Sequence, residues 1–408
     1  MRILFVHHYF PGQFQRIARH YLACGHDIVA FHRGLSDGRS MPPIDGIRML
    51  DYGREVRADR EADHILHDTE EYIREAASMA LAAEALKAEG WQPDLVYSHT
   101  GWGTGAFLQD VFAGAKFVKY CEWFYNNTTE STEFLTGPRD FYARFTTSLM
   151  NLPVLADLMR ADLMIAPTGW QRSQFPASMQ PAIRIAPDGV DADLFCPDPA
   201  ASFTTAGGRR FGAGDRVVTY VARGADPFRG FKPFMEALAK VQAVDPQVEA
   251  IVVGDRTVYY DAGQGTEDHF HAVMAEAKID PARTHFTGPL PYDDYRRVLQ
   301  VSAVHVYLTV PFVMSWSAFE ALSTGCMIVG SDTAPVTEFV RHGDNGLLAD
   351  FFDAGAIAGQ ILVALAGGPA VETMRRRARQ TIIDRWSATD AVAVHVGLVE
   401  QMMGRKLA

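Results

Sequence analysis

Arg2-Ile-Leu-Phe-Val6 is an apolar run that soon meets Pro11-Gly12. A helical pattern over 14–23 follows and stops at Gly25, and Asp27-Ile-Val-Ala-Phe31 is a second apolar run. Strand, helix, strand with a glycine closing the helix is the pattern of a βαβ unit, whose parallel strands are joined by a right-handed crossover. The alternation continues outward. A long Ala-rich helix is expected over 64–89, ended by Gly90, with strands at Pro93-Asp-Leu-Val-Tyr97, Lys116-Phe-Val-Lys-Tyr120 and Leu163-Met-Ile-Ala166. This half therefore reads as one doubly wound α/β domain. Between Pro187 and Arg216 the composition changes, and Cys196-Pro-Asp-Pro and Ala206-Gly-Gly-Arg-Arg-Phe-Gly-Ala-Gly read as surface chain and connection. The pattern then restarts with Val217-Val-Thr-Tyr-Val-Ala222, a helix over 231–243 and Val248-Glu-Ala-Ile-Val-Val253. Ala303-Val-His-Val-Tyr-Leu308, a helix from near Ser315 and Met327-Ile-Val-Gly330 complete it. From about Thr381 the chain is amphipathic and helical. The expected organisation is a first domain over 1–187, a second over 188–384, and a C-terminal helix over 385–408 that crosses back to the first.

Length and charge narrow the function. A chain of 408 residues is long enough for two or three domains, each with its own core. The net charge is −11, of which residues 1–195 contribute −7 and the remainder −4. Neither half offers the cationic face that nucleic acid requires. A polybasic membrane patch is not expected either, although the composition is compatible with peripheral membrane contact. No apolar run reaches the 18 residues of a membrane span, and Pro11-Gly12 ends the first run too early for a signal peptide. Cys24, Cys121, Cys196 and Cys326 are far apart and form no CxxC or Cys/His pattern. That argues against a disulfide framework or structural zinc and leads us to expect a cytoplasmic protein. The sequence does not specify an oligomeric state.

Open α/β sheets bind ligands beyond the C-terminal ends of their strands, where the strand order reverses. Two such domains in tandem predict an active site in an interdomain cleft. In Thr219-Tyr-Val-Ala-Arg-Gly-Ala-Asp-Pro-Phe-Arg-Gly-Phe231, Arg223 and Arg229 flank a Gly/Pro turn just past a strand. Paired guanidiniums there suit a diphosphate, which they can grip with planar, charge-assisted bonds, and Lys232 could add a third charge. Alone, the segment reads more readily as two solvated loop arginines. Pro311-Phe-Val-Met-Ser-Trp-Ser-Ala-Phe-Glu320 opens a helix, with Ser315 or Ser317 as N-cap. Its N–H groups would face an anion, and Glu320, one turn in, could accept from a ribose diol.

These segments resemble the retaining family 4 glycosyltransferases, which have two facing Rossmann-like domains, the GT-B fold. The family's Gly-Arg and Lys-Gly are matched by Ala222-Arg223 and Arg229-Gly230. Its Asn-Gly-Val-Asp-x-x-x-Phe is matched by Asp188-Gly-Val-Asp-Ala-Asp-Leu-Phe195, and its tail by Ser331-Asp332, Glu338 and Gly343-Asp-Asn-Gly-Leu347. Its opening Gly-rich loop corresponds to Pro11-Gly12-Gln13, with Gln13 where a second glycine is usual. The family's paired acidic motif keeps Glu320 and has Phe312 at its first position, where a carboxylate would touch the donor sugar. Ser315-Trp316-Ser317 reads as a rebuilt donor loop.

The resemblance implies a nucleotide-diphosphate sugar as donor, a saccharide or lipid-linked saccharide as acceptor, net retention, and neither metal nor other cofactor. It implies catalytic roles for Arg223, Arg229, His99 and Glu320. It further implies donor contacts at Gly12, Gln13, Lys232, Ser315, Trp316 and Ser317, with the nucleobase near Gly288 and Leu290. Glu122, after the next strand, is a weaker acceptor-side candidate that reads more readily as a loop carboxylate among packed aromatic neighbours. Asp191-Ala-Asp193 spells a metal-type DxD, but it lies inside the interdomain match and is set aside. His7-His8, as strand neighbours, would point to opposite faces. The alternatives are a sugar-nucleotide epimerase on the same fold and a non-catalytic nucleotide-sugar-binding protein.

Overall fold

The computed structural model describes residues 1–33, 43–53, 65–126, 133–259 and 266–407. They form two compact domains, one of residues 1–132, 138–189 and 388–408, the other of 133–137 and 190–387. His64, where the long helix was expected to begin, lies outside the described residues; the helix is described over His67–Ala88.

The first domain is built on seven parallel strands, β1 (Arg2–Val6), β2 (Asp27–His32), β3 (Arg48–Asp51), β4 (Leu95–His99), β5 (Lys116–Tyr120), β6 (Leu163–Ala166) and β7 (Ile183–Ile185). Their order is β3-β2-β1-β4-β5-β6-β7, so the direction of winding reverses between β1 and β4. β1 shows why the run is apolar throughout. Successive side chains leave opposite faces of a strand, and both faces of this sheet are covered. Ile3 and Phe5 pack with Phe14, Ile17 and Tyr21, from the segment around the helix Gln15–Ala23. Leu4 and Val6 pack with Met79, Ala83 and Leu86 of the helix His67–Ala88. The helix Ala388–Met403 joins the first of these cores through Val399, and the Leu407 carbonyl accepts from His26 Nε2 at 2.9 Å.

The second domain begins with an antiparallel hairpin, β8 (Ser202–Thr204) and β9 (Arg210–Gly212). Six parallel strands follow, β10 (Val217–Val221), β11 (Glu249–Val253), β12 (Thr284–Gly288), β13 (Val304–Tyr307), β14 (Met327–Ser331) and β15 (Leu347–Ala349). Their order, β12-β11-β10-β13-β14-β15, reverses between β10 and β13. The helices Phe231–Val244 and Ala354–Ala366 cover one face. Trp316–Thr324 covers the other, and Pro369–Arg385 packs on both cores, through Val371 and Met374 on the first and Ala378 and Ile382 on the second. The two ends of this domain meet: Val190 N–H donates to the Trp386 carbonyl at 2.8 Å, and Val190 bridges to Ser387.

Some expectations need correcting. The connection over 187–216 contains the β8–β9 hairpin, because Phe203 and Phe211 turn inward and are buried with Val217 and Ile251. The C-terminal segment is two helices, broken at Trp386, whose ring lodges against Phe319 and Phe339. Residues 133–137 sit with the second domain, since Phe134 packs on Phe351 and Phe352. Strand β4 runs two residues later than expected and ends on His99 itself. Among the described residues, no single helix is long and apolar enough to cross a membrane.

Candidate active site

In the first domain the central strands β1, β4 and β5 deliver three polar side chains to one place: His7 just past β1, His99 at the end of β4, and Glu122 past β5. After β1 the chain enters a short 3-10 turn, Gly12–Phe14. Gly12 has φ +44°, and a Cβ there would lie 2.5 Å from the His7 ring, so only glycine lets the turn close over the imidazole. Tyr9 N–H donates to His7 Nδ1 at 2.9 Å. The His7 proton therefore sits on Nε2, which donates to Gln13 Oε1 at 2.8 Å. Gln13 Nε2 in turn donates to Glu122 Oε1 at 2.6 Å. Gly101 N–H donates to His99 Nδ1 at 3.2 Å, which puts the His99 proton on Nε2, and that atom donates to Glu122 Oε2 at 3.0 Å. These tautomers are assigned from the hydrogen bonds, and the network is consistent in only this sense.

The His99 ring stacks on Trp102 at 4.8 Å and on Tyr120 at 5.4 Å. Gln171 holds the Glu122 backbone, Nε2 to carbonyl at 2.9 Å. Burial, with the neighbouring His99, pushes the His7 pKa well below its ordinary value, so His7 acts as a neutral donor. His8 diverges as expected. It stacks on Trp102 at 4.0 Å and meets Thr104 at 2.9 Å and Glu75 at 3.2 Å, and Glu75 also pairs with Arg33. The result is a chain of N–H donors, from His7 through Gln13 and from His99, that ends on a quarter-exposed carboxylate.

In the second domain Arg229 lies past β10 and is only 7% exposed. Its Nη1 donates to Tyr307 Oη (3.0 Å), Thr309 Oγ1 (2.8 Å) and the Val313 carbonyl (2.9 Å). Tyr307 is the last residue of β13, so this arginine ties the two strands at which the sheet order reverses. Gly230, at φ +66°, then starts the helix Phe231–Val244; a Cβ there would meet Leu308 at 2.7 Å. Ser315 is the N-cap of Trp316–Thr324, its Oγ accepting from Ser317 N–H at 3.3 Å, and its own N–H donates to the same Tyr307 hydroxyl at 2.8 Å. Arg229 and the Ser315–Ser317 turn are thus brought together. Phe312 packs edge-on against Phe228, and the Arg229 guanidinium lies 5.8 Å from its ring centre.

Other expected residues go elsewhere in this domain. Arg223 is exposed, its guanidinium 4.7 Å above the Tyr259 ring. Lys232 pairs with Glu276 and, at 3.7 Å, with Glu236 rather than adding its charge beside Arg229. Gly288 ends β12 and lines a cavity of about 280 Å³ with Tyr220, Phe231, Gly254 and Phe286. Leu290 is partly buried among apolar neighbours and does not line that cavity. Asp191 Oδ1 accepts from the N–H groups of Asp193 (3.2 Å) and Leu194 (2.9 Å), which makes Asp191-Ala-Asp193 a turn cap. Among the described residues, only His67, Asp68 and Glu71 group at metal-ligand spacing, near the start of the helix His67–Ala88.

Glu320 is 5% exposed and accepts from Tyr292 Oη at 2.5 Å on Oε1 and from Tyr295 Oη at 2.6 Å on Oε2. Sequence reasoning missed Tyr292, Tyr295, Tyr307, Thr309 and His7. The spacing of Tyr292 and Tyr295, three apart on one helix, was the available signal.

Two parallel sheets of Rossmann order, each with polar groups gathered at its point of reversal, define the GT-B class of glycosyltransferase architecture. Residues 25–195 match the family described as Glycosyl transferase family 4 group, and residues 208–381 match Glycosyl transferases group 1. The chain belongs to the family 4 glycosyltransferases. A GDP-mannose-dependent alpha-(1-6)-phosphatidylinositol monomannoside mannosyltransferase of Mycolicibacterium smegmatis is 25% identical over 261 residues, covering 58% of this chain and 62% of that protein. A D-inositol 3-phosphate glycosyltransferase of Acidothermus cellulolyticus is 25% identical over 214 residues, 51% of this chain and 46% of that protein. The matches thus span less than two thirds of these relatives' length. Among solved structures, sucrose-phosphate synthase from Thermosynechococcus elongatus superposes with a TM-score of 0.72 at 18% identity, covering 99% of both chains. The Anabaena protein Alr3699/HepE in complex with UDP-glucose gives 0.68 at 17% identity, covering 99% of this chain and 100% of that one.

Proposed function

We propose that the protein transfers a glycosyl group from a nucleotide-diphosphate sugar to a saccharide or lipid-linked saccharide acceptor, with retention and without a metal ion. The observation that carries this reading is Arg229, a buried cation held by three oxygens at the reversal of the second sheet beside the N-terminus of Trp316–Thr324. In glycosyl transfer the bond from the anomeric carbon to the β-phosphate oxygen breaks, and the departing diphosphate gains negative charge. A bond from that carbon to the acceptor oxygen forms, and in a same-face transfer the acceptor's proton passes to the departing phosphate. A fixed guanidinium and the N–H groups of a helix start stabilise that charge without reorganising. In this reading Arg223 and Lys232 add longer-range attraction and Glu320 binds the ribose. The nucleobase lies near Gly288 and Leu290, and Trp316 and Ser317 border the donor.

From the first domain, His99 and the Gly12-Gln13 turn meet the donor sugar, and Glu122 meets a hydroxyl of the acceptor. The relatives divide over the donor: the Mycolicibacterium enzyme is named for GDP-mannose and the Anabaena protein was solved with UDP-glucose. The reading is tested by thermal unfolding with UDP-, GDP- and ADP-sugars in chelator, on wild type and Arg229→Ala. A ligand at 100 times its Kd stabilises by about 2.7 kcal/mol. A shift with one base, kept in chelator and lost in the variant, supports the metal-free clamp, and no shift with any nucleotide refutes it. Phe312 favours a second reading, donor binding without transfer. Slow hydrolysis of the bound donor separates the two, because a pure binder releases no free sugar.

A further inference from the structure

Glu320 is held in a way that neither its burial nor its position on the helix requires. Each of its two oxygens accepts from a different phenol, and both phenols come from the helix Tyr292–Gln300. The two rings lie 5.8 Å apart, and both rest on the fully buried Phe195, at 5.3 Å and 5.9 Å. Phe195 is in turn fixed to the Glu320 helix, its carbonyl accepting from Ser323 Oγ at 2.7 Å. The carboxylate is therefore set in both plane and rotation by contacts outside its own helix. The two phenols differ. Tyr295 is buried and its pKa is raised well above the ordinary value, by burial first and the Glu320 charge second, so it remains a permanent donor. Tyr292 is 52% exposed, and its hydroxyl sits on the other oxygen of Glu320, where solvent reaches its ring.

We propose that Tyr295 is a positioning residue that aims Glu320 at the ribose of a bound nucleotide, and that Tyr292 is a replaceable donor whose place a ribose hydroxyl takes. This rests on the assignment of Glu320 to the ribose. A carboxylate has about four acceptor sites. With one fixed by Tyr295, its remaining sites point in a defined direction, and displacement of Tyr292 opens one of them to the ribose.

The test is calorimetric titration of wild type, Tyr295→Phe and Tyr292→Phe with UDP and GDP, each beside its 2′-deoxy and 3′-deoxy counterparts. Phenylalanine keeps both rings on Phe195, and a melting curve checks folding. Wild type is expected to prefer the ribonucleotide by about tenfold or more, the scale of one charge-assisted bond. In Tyr295→Phe that preference falls to about threefold or less. In Tyr292→Phe the ribonucleotide binds a few-fold tighter and the preference grows. A folded Tyr295→Phe with the full preference, or a Tyr292→Phe that loses it, overturns the inference while leaving Glu320 at the ribose. A wild type that binds nucleotide with no preference removes Glu320 from the ribose and the inference with it, and binding of neither nucleotide refutes the function itself.

Discussion

Arg229→Ala is expected to lower turnover by about two to three orders of magnitude, and the structure allows the reason to be separated from simple loop damage. Removing the side chain takes a charged donor from Tyr307, Thr309 and the Val313 carbonyl, and it leaves Phe312 without the cation beside its ring. Tyr307 keeps the Ser315 N–H as a partner, so the Ser315 turn retains one of its anchors. The structural cost is that of buried acceptors losing a charged partner, about 1–3 kcal/mol. The catalytic cost is the loss of one preorganised donor to the departing diphosphate, about 2.7–4 kcal/mol, which is a factor of 10² to 10³ in rate. The two costs appear in different quantities. Loop damage lowers the melting temperature and weakens nucleotide binding, and saturating donor overcomes it. Loss of the leaving-group contact lowers kcat at saturation. Release of sugar from radiolabelled donor, with and without acceptor, gives kcat, and calorimetry with the nucleoside diphosphate gives Kd. Arg229→Lys should fall between, since a point ammonium keeps the charge but lacks the planar fork that meets a diphosphate with paired bonds. A variant that binds nucleotide several-fold more weakly yet turns over within about threefold of wild type at saturation would refute the reasoning.

Other outcomes follow from the same geometry. Glu122→Gln places an amide NH2 opposite either His99 Nε2–H or Gln13 Nε2–H, two donors face to face. It should slow transfer about tenfold or more and lower stability by about 1–2 kcal/mol, and unchanged steady-state rates would release Glu122 from the site. Gly12→Ala forces a Cβ into the His7 ring at a positive φ, and chemical denaturation should show a loss of about 1–3 kcal/mol; a neutral result would mean the turn relaxes freely. Burial lowers the pKa of His305 to about 3 and of His395 to about 4. Both are neutral when folded and protonate near 6.5 when unfolded, so the unfolded chain binds more protons below that value. Their stabilisation is complete above about pH 6.5 and declines as the pH falls toward 4, by about 1.4 kcal/mol per pH unit for each group. Melting curves from pH 7.5 to 5 should show the decline, with His305 acting in the second domain and His395 in the first; a flat profile would contradict this.

What the sequence reveals depends on how local the cause is. Lys116–Tyr120 and Leu163–Ala166 are legible residue for residue, because each is a short run of strand-forming residues with a nearby breaker, Gly114 before the first and Pro167 after the second. β8 and β9 are not, since three residues with a single inward phenylalanine give no alternation to read. The break at Trp386 is hidden because the helical spacing of apolar residues carries across it. In the site, Arg229 and Glu320 are visible because each lies in a motif of contiguous residues. Their partners Tyr307, Tyr292 and Tyr295 come from other strands and helices. The chain from His7 through Gln13 to Glu122 and His99 joins loops after β1, β4 and β5. Only the sheet order brings residues 13 and 122 together. The sequence reads His7 as a strand residue, whereas β1 ends at Val6 and His7 belongs to the loop.

The pairing of Val190 with Trp386 and Ser387 has a consequence for modularity. A piece of chain whose first and last residues are hydrogen-bonded to each other can be inserted into a host, or excised from it, without stretching either. Residues 190–387 therefore form a natural cassette, with the segment 133–137, which packs on it through Phe134 and Leu135, left behind in the host. Produced alone, or circularly permuted through a short linker from 387 to 190, that cassette should keep its sheet and its Arg229 and Glu320 geometry. Exchange of such a cassette between relatives would let one first domain acquire a different second domain in a single recombination event.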